Sequence, residues 1–171
     1  MDCLIVEIKA RCKDQTKIRE YLKTNNAKYK GTDHQIDTYF KVPNGRLKLR
    51  EGNIENNLIH YDRSNQEGPK QSKVQLFKCE PNSSLKEILT KSLGTIVVVD
   101  KQREIYFIEN VKFHIDTVKG LGSFMEIEAI DKDGKLNRDQ LDDQCKFYLS
   151  EMGINKQDLI SNSYSDLLIL N

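Results

Sequence analysis

Long apolar runs are missing from the 171 residues. The longest, such as Ile96-Val97-Val98-Val99, are far too short to span a bilayer, so no membrane role is expected. An excess of one charge is missing too. With 27 Lys and Arg against 26 Asp and Glu, no global field draws the chain to nucleic acid or to a membrane surface. The four cysteines, Cys3, Cys12, Cys79 and Cys145, show no CxxC spacing, and no secretory pattern precedes the first strand. Reduced thiols and a cytoplasmic location are therefore expected. Internal repeats, linkers and low-complexity stretches are absent, and the length suits one domain over residues 1–171 with a sizeable core.

What is present is charge placed by alternation. Residues 41–80 carry 8 basic against 5 acidic side chains, whereas 126–171 carry 5 against 10. In the first extended run, Leu4, Val6, Ile8 and Ala10 lie on one face while Glu7, Lys9 and Arg11 project from the other. Phe124 to Ala129 repeats the pattern, with Glu126 and Glu128 on one face and Met125, Ile127 and Ala129 on the other. In Arg46-Leu47-Lys48-Leu49-Arg50 three cations share a face. They form either an exposed, solvated strand or an anion cradle whose two-residue repeat of about 7 Å matches successive phosphates. Lys101 and Arg103 share a face, as do Lys112, His114 and Asp116.

In chain order the pattern predicts a helix from an N-cap at Asp14 to Thr24, then extended chain over 27–42 and a turn at Pro43-Asn44-Gly45. Strands at 46–50 and 58–63 precede a polar loop, Ser64 to Gln71, that is either a lid or a connector, and a strand at 73–78. A helix opens at Pro81 to Ser84 and stops at Gly94. Separate extended runs follow at 95–99, 101–109, 111–116 and 124–129. A helix over 138–152 and a last short one near Lys156 follow, and Ser163 to Leu168 closes the chain. The expected fold is α+β, an eight-stranded antiparallel β-barrel or tunnel with helices packed outside. Helices cover the apolar faces, so the ionic faces turn inward and the interior holds water, paired ions or a charged ligand.

Glu7-Ile8-Lys9, the basic strand Gly45 to Glu51, Lys101-x-Arg103, Asp116, Glu126-x-Glu128 and the terminal Ser163-Tyr164-Ser165-Asp166-Leu167-Leu168 together resemble the CYTH superfamily of triphosphate tunnel metalloenzymes. The branch they look most like is that of the class IV adenylate cyclases. The resemblance implies a triphosphate-containing small molecule as partner and Mg²⁺ or Mn²⁺ as cofactor. Carried over position by position, it makes Glu7, Glu126 and Glu128 metal ligands. Lys9, Lys48, Arg50, Arg63, Lys78, Lys101 and Arg103 become phosphate-binding residues, with Lys9 and Asp116 in catalytic roles. Asp116 is then a second metal ligand or a group that orients the nucleophile. The family's first-strand ExExK pattern is incomplete, since Ile5 stands where its first glutamate falls.

Three activities follow as expectations: an adenylate cyclase-like lyase giving cyclic AMP and pyrophosphate from ATP; a triphosphatase acting on inorganic, thiamine or nucleoside triphosphate; and a noncatalytic triphosphate or nucleotide binding module. His114 is either an acid or base or a structural histidine. The oligomeric state is left open, a homodimer included.

Overall fold

A computed structural model of the protein describes residues 3–62 and 70–171. Eight strands, β1 (Cys3–Arg11), β2 (Lys28–Phe40), β3 (Arg46–Glu51), β4 (Asn57–Asp62), β5 (Lys70–Lys78), β6 (Thr95–Ile108), β7 (Val111–Val118) and β8 (Gly122–Asp131), form one sheet. It runs in the order β1-β5-β4-β3-β2-β6-β7-β8 and closes on itself through β1 and β8. Every pairing is antiparallel. The expected eight-stranded tunnel is therefore the fold. Among the described strands, closure leaves none at an open edge along which another chain could add.

Helices α1 (Gln15–Thr24) and α3 (Arg138–Glu151) lie over the outer faces of β1, β7 and β8. There Val6, Ile8 and Ala10 of β1, Phe113 and Ile115 of β7, and Met125, Ile127 and Ala129 of β8 pack against Ile18 and Leu22 of α1 and Leu141 and Cys145 of α3. The start of α1 is fixed by Asp14, which accepts a hydrogen bond from the Lys17 backbone. That of α3 is fixed by a reciprocal box between Asn137 and Gln140. Helix α2 (Leu85–Leu93) ends at Gly94, whose φ of 75° is open chiefly to glycine. Because side chains alternate along a strand, burying this outer apolar set forces the intervening ionic residues into the tunnel.

A smaller apolar cluster closes one end. Val99, Val118 and Phe124 meet Tyr39, Tyr61 and Tyr164, the last on the short helix α4 (Tyr164–Leu170). Arg46, expected to share the inward basic face of β3, instead pins this helix by donating to Ser163 Oγ at 2.7 Å and Asp166 Oδ2 at 3.0 Å.

The expected runs at 95–99 and 101–109 are one strand. Asp100 stays in the ladder opposite Ile36, and its side chain turns outward to His34 Nε2 at 2.8 Å. Strand β5 begins at Lys70, so residues 70 and 71 of the expected loop belong to a strand, and residues 63–69 lie outside the described part. Cys12, Cys79 and Cys145 are free thiols. Among the described residues, no helix is long and apolar enough to cross a membrane.

Candidate active site

The tunnel interior has two unlike walls. Strands β1, β4 and β5 contribute Ile5, Ile59, Val74 and Leu76, an apolar stretch. Across from it, β2, β3, β6, β7 and β8 contribute most of the charge, joined by Glu7 and Lys9 from β1 and Glu55 from the connection between β3 and β4. Six cations (Lys9, Lys48, Arg50, Lys101, Arg103 and Lys112) and five carboxylates (Glu7, Asp37, Glu55, Glu126 and Glu128) line this single cavity. They are organised around two centres.

The first centre is Asp37 of β2, 1% exposed. Arg50 grips it in a two-point bond, Nε to Oδ1 and Nη2 to Oδ2, both 2.8 Å. Lys48 and Lys101 both donate to Oδ2, at 2.9 and 2.8 Å. Burial alone would raise the Asp37 carboxyl, but Arg50, Lys101 and Lys48 outweigh it and hold the group well below the usual carboxylate range. Three cations thus share one carboxylate, and the surplus falls on Lys101. Burial first, with Arg50, Arg103 and Lys48 adding to it against the attraction of Asp37, lowers its ammonium to about 7. Glu55, from the turn between β3 and β4, neutralises the outer side by accepting from Lys112 at 2.7 Å and Arg50 at 3.1 Å.

The second centre is Arg103 of β6. It grips Asp116 of β7, with Nε to Oδ1 at 2.7 Å and Nη2 to Oδ2 at 2.5 Å, and its Nη2 also reaches Glu126 Oε2 at 3.0 Å. Lys9 stands between Glu126 Oε1, at 3.1 Å, and the ring of Tyr164, at 3.9 Å. His114 places Nδ1 3.1 Å from Glu126 Oε2 and 3.6 Å from Glu128 Oε1. Burial, then Arg103, lowers the imidazole below its ordinary value, against the attraction of Glu128 and Glu126. Glu126 is held well below the carboxylate range, since Arg103 and Lys9 overcome its burial.

The structure thus brings Glu7, Lys9, Lys48, Arg50, Lys101, Arg103, Glu126 and Glu128 into one cavity. Asp116 does not line it. Fully buried, it has both oxygens taken up by Arg103 and by the Tyr164 hydroxyl at 2.7 Å. Lys78 is also off the cavity, exposed at the end of β5 opposite Asn57, because the inward positions of that strand finish at Leu76. Arg63 lies outside the described residues. Ile5 does face inward, so an apolar group occupies the position of the missing glutamate.

Sequence reasoning passed over Asp37, Glu55 and Tyr39. Asp37 could have been found from Asp33, Gln35 and Asp37, which alternate along β2 and are all buried. Glu55 lies in a turn, where no periodicity marks it.

Glu126, Glu128 and His114 each offer a ligand atom within 4.8 Å of the others, and Glu7 faces Glu128 across the β1–β8 ladder. Carboxylate oxygens at this spacing fit a divalent cation.

Fold and site together define a closed eight-stranded antiparallel tunnel with a cation-lined wall beside clustered carboxylates. The CYTH domain matches residues 4–164, and the chain belongs to that family. A Methanocaldococcus jannaschii protein named as a candidate adenylate cyclase is 30% identical, over 95% of this chain and 97% of that one. The fold is shared with a Pyrococcus horikoshii protein of 22% identity, covering 98% of this chain and 99% of that one with a TM-score of 0.81. It is also shared with a Hippeastrum candidate adenylyl cyclase, described as having a dominant triphosphatase activity. That protein is 15% identical, with coverage of 99% and 94% and a TM-score of 0.62.

Replacing Asp37 by Asn leaves the buried Arg50 and Lys101 and the half-buried Lys48 without their shared counter-charge, and is expected to cost about 3–5 kcal/mol of unfolding free energy. The exposed pair Lys86–Glu51 serves as control, its Glu51→Gln variant losing no more than about 1 kcal/mol. Urea denaturation measures both, and a similar small loss at each site would contradict the role given to Asp37.

Proposed function

We propose that the protein is a metal-dependent enzyme acting on the triphosphate of ATP or a related substrate, converting ATP to cyclic AMP and pyrophosphate in the manner of a class IV adenylate cyclase. The observation that carries this reading is the convergence, in one cavity, of Lys48, Arg50, Lys101 and Arg103 with the carboxylates of β1 and β8. Such a site has little covalent chemistry to perform; its work is positioning and charge neutralisation.

Lys48, Arg50 and Lys101 hold nonbridging phosphate oxygens, and Asp37 keeps them convergent. Arg103 reaches the same phosphates while Asp116 fixes the plane of its guanidinium, so Asp116 is a positioning residue and Lys9 and Arg103 touch the substrate. Glu7, Glu126 and Glu128 would hold Mg²⁺ or Mn²⁺, which when bound supplies further neutralisation of phosphate oxygens. In the cyclase reaction the ribose 3′ oxygen attacks the α-phosphorus. The bond from that phosphorus to the bridging oxygen breaks, pyrophosphate leaves with the electron pair, and the 3′ proton passes to solvent. The apolar wall of Ile5, Ile59, Val74 and Leu76, with Tyr39 and Tyr61 beside it, gives a nucleoside a surface that inorganic triphosphate does not need. The name of the Methanocaldococcus relative supports the cyclase reading. The activity of the Hippeastrum protein favours a second one, in which water attacks a terminal phosphorus of the same bound triphosphate.

Incubation with ATP, inorganic triphosphate and thiamine triphosphate, each with Mg²⁺ or Mn²⁺, followed by chromatography of the products, tests this. Cyclic AMP with pyrophosphate is expected, abolished in Glu126→Gln. Phosphate without cyclic product establishes the second reading, and no turnover of any substrate contradicts both.

Lys101 adds a pH signature. Because its free-state value is about 7, it is mostly neutral at pH 8, and a bound polyanion raises it. Inorganic triphosphate is therefore expected to bind with proton uptake at pH 8 and to lose affinity as the pH rises above 7. Calorimetry in two buffers of different ionisation enthalpy should show the uptake in the parent protein and not in Lys101→Met; equal uptake in both would contradict the assignment.

A further inference from the structure

His114 has no place in the phosphate chemistry just described, yet it is the group most completely enclosed beside the carboxylates. It is 1% exposed, lines the tunnel, and stands directly opposite Glu126 in the β7–β8 ladder. Its Nδ1 is turned toward both carboxylates, 3.1 Å from Glu126 Oε2 and 3.6 Å from Glu128 Oε1. Nε2 is buried with no hydrogen-bond partner among the described residues. A purely structural histidine is expected to pair both nitrogens; this one leaves Nε2 open and turns Nδ1 toward two carboxylates.

Two further observations bear on which cation. Among the described residues, the one group of three or more His, Cys, Asp and Glu side chains spaced to hold a metal ion is His114, Glu126 and Glu128, with ligand atoms within 4.8 Å of one another. On the neighbouring strand, Ile5 turns a hydrocarbon side chain into the same cavity. The site is therefore poorer in oxygen donors than one with carboxylates throughout, and it has a nitrogen in reach. Mg²⁺ is bound through oxygen and retains its waters, whereas imidazole suits transition ions, whose affinity for mixed nitrogen and oxygen sites rises from Mn²⁺ through Co²⁺.

We propose that His114 contributes a ring nitrogen to the cation site formed with Glu126 and Glu128, and thereby selects a transition ion such as Mn²⁺ or Co²⁺ over Mg²⁺. The proposal rests on the metal-dependent reading above, and its test does not depend on turnover. The chain has only three histidines, His34, His60 and His114, so the imidazole nitrogens of a ¹⁵N-histidine-labelled sample can be followed individually. Zn²⁺ added alone, as a diamagnetic probe, is expected to shift the nitrogens of one histidine, and that signal is expected to be missing from His114→Gln. Calorimetric titration with Co²⁺, Mn²⁺ and Mg²⁺, each alone, is expected to show Co²⁺ and Mn²⁺ affinity falling at least about tenfold in His114→Gln while Mg²⁺ affinity changes less than about twofold. His114→Asp, which returns an oxygen donor, is expected to move the preference toward Mg²⁺.

Unchanged nitrogens of His114 on Zn²⁺ addition would overturn the proposal, a result that needs only the parent protein and stands even if a variant fails to fold. So would an equal loss for all three ions in His114→Gln. If cations bind without engaging His114 while triphosphate is still turned over, only this proposal falls. If no cation binds and no triphosphate is turned over, the metal-dependent reading falls with it.

Discussion

Lys48 and Arg50 from β3 and Lys101 from β6 converge on the single carboxylate of Asp37, and the interior of the tunnel depends on that arrangement. Burying one cation away from water costs several kcal/mol unless it is paired, and three in a row are tolerable only around a shared counter-charge. Asp37 provides it incompletely. One carboxylate cannot balance three cations, so the centre keeps a positive excess that burial turns against Lys101. A site with that imbalance is prepared for an anion carrying several charges. The second centre is balanced differently: Arg103 is gripped by Asp116 and reached by Glu126, while Lys9 and His114 complete the coordination of Glu126. The two centres lie along one tunnel, the first short of negative charge and the second rich in it. A polyanion with a divalent cation satisfies both.

What keeps these charges inside is the apolar packing outside. Val6, Ile8 and Ala10 are buried against α1 and α3, and a one-residue slip of β1 would exchange them for Glu7 and Lys9. The same holds for Met125, Ile127 and Ala129 against Glu126 and Glu128 on β8. The hydrophobic core thus fixes the register that aims the site. At one end, Tyr164 joins the two functions: its ring packs on Phe124 and Lys9, and its hydroxyl donates to Asp116. Arg46 holds the helix that carries it.

The strands whose alternation was strongest were legible in the amino-acid order. On β1, β3 and β8 the apolar and ionic sets separate so cleanly that facing could be inferred before the sheet was known, and so could the convergence of Lys9, Lys48, Arg50, Lys101, Arg103, Glu126 and Glu128. Asp37 was not legible, because its importance comes from partners 11, 13 and 64 residues away, and no local pattern carries that information. Asp100 looked like a break between two strands because a charged residue interrupts an apolar run; in fact it faces outward and pairs with His34 across the ladder. Asp116 shares the inward parity of Lys112 and His114, yet the tunnel floor covers it, and parity alone cannot distinguish a residue at the lumen from one beneath it. Arg46 shares the parity of Lys48 and Arg50 but is drawn away by α4, an element distant in sequence.

The central claim is that the cation wall of the tunnel is the seat of a triphosphate. The most direct measurement is a crystal structure of the full chain with inorganic triphosphate bound. The account predicts phosphate oxygens within hydrogen-bond distance of Lys48, Arg50, Lys101 and Arg103, with Asp37 still gripped by Arg50. Triphosphate bound on the outer surface, with the tunnel ion pairs intact and no phosphate among them, would contradict it.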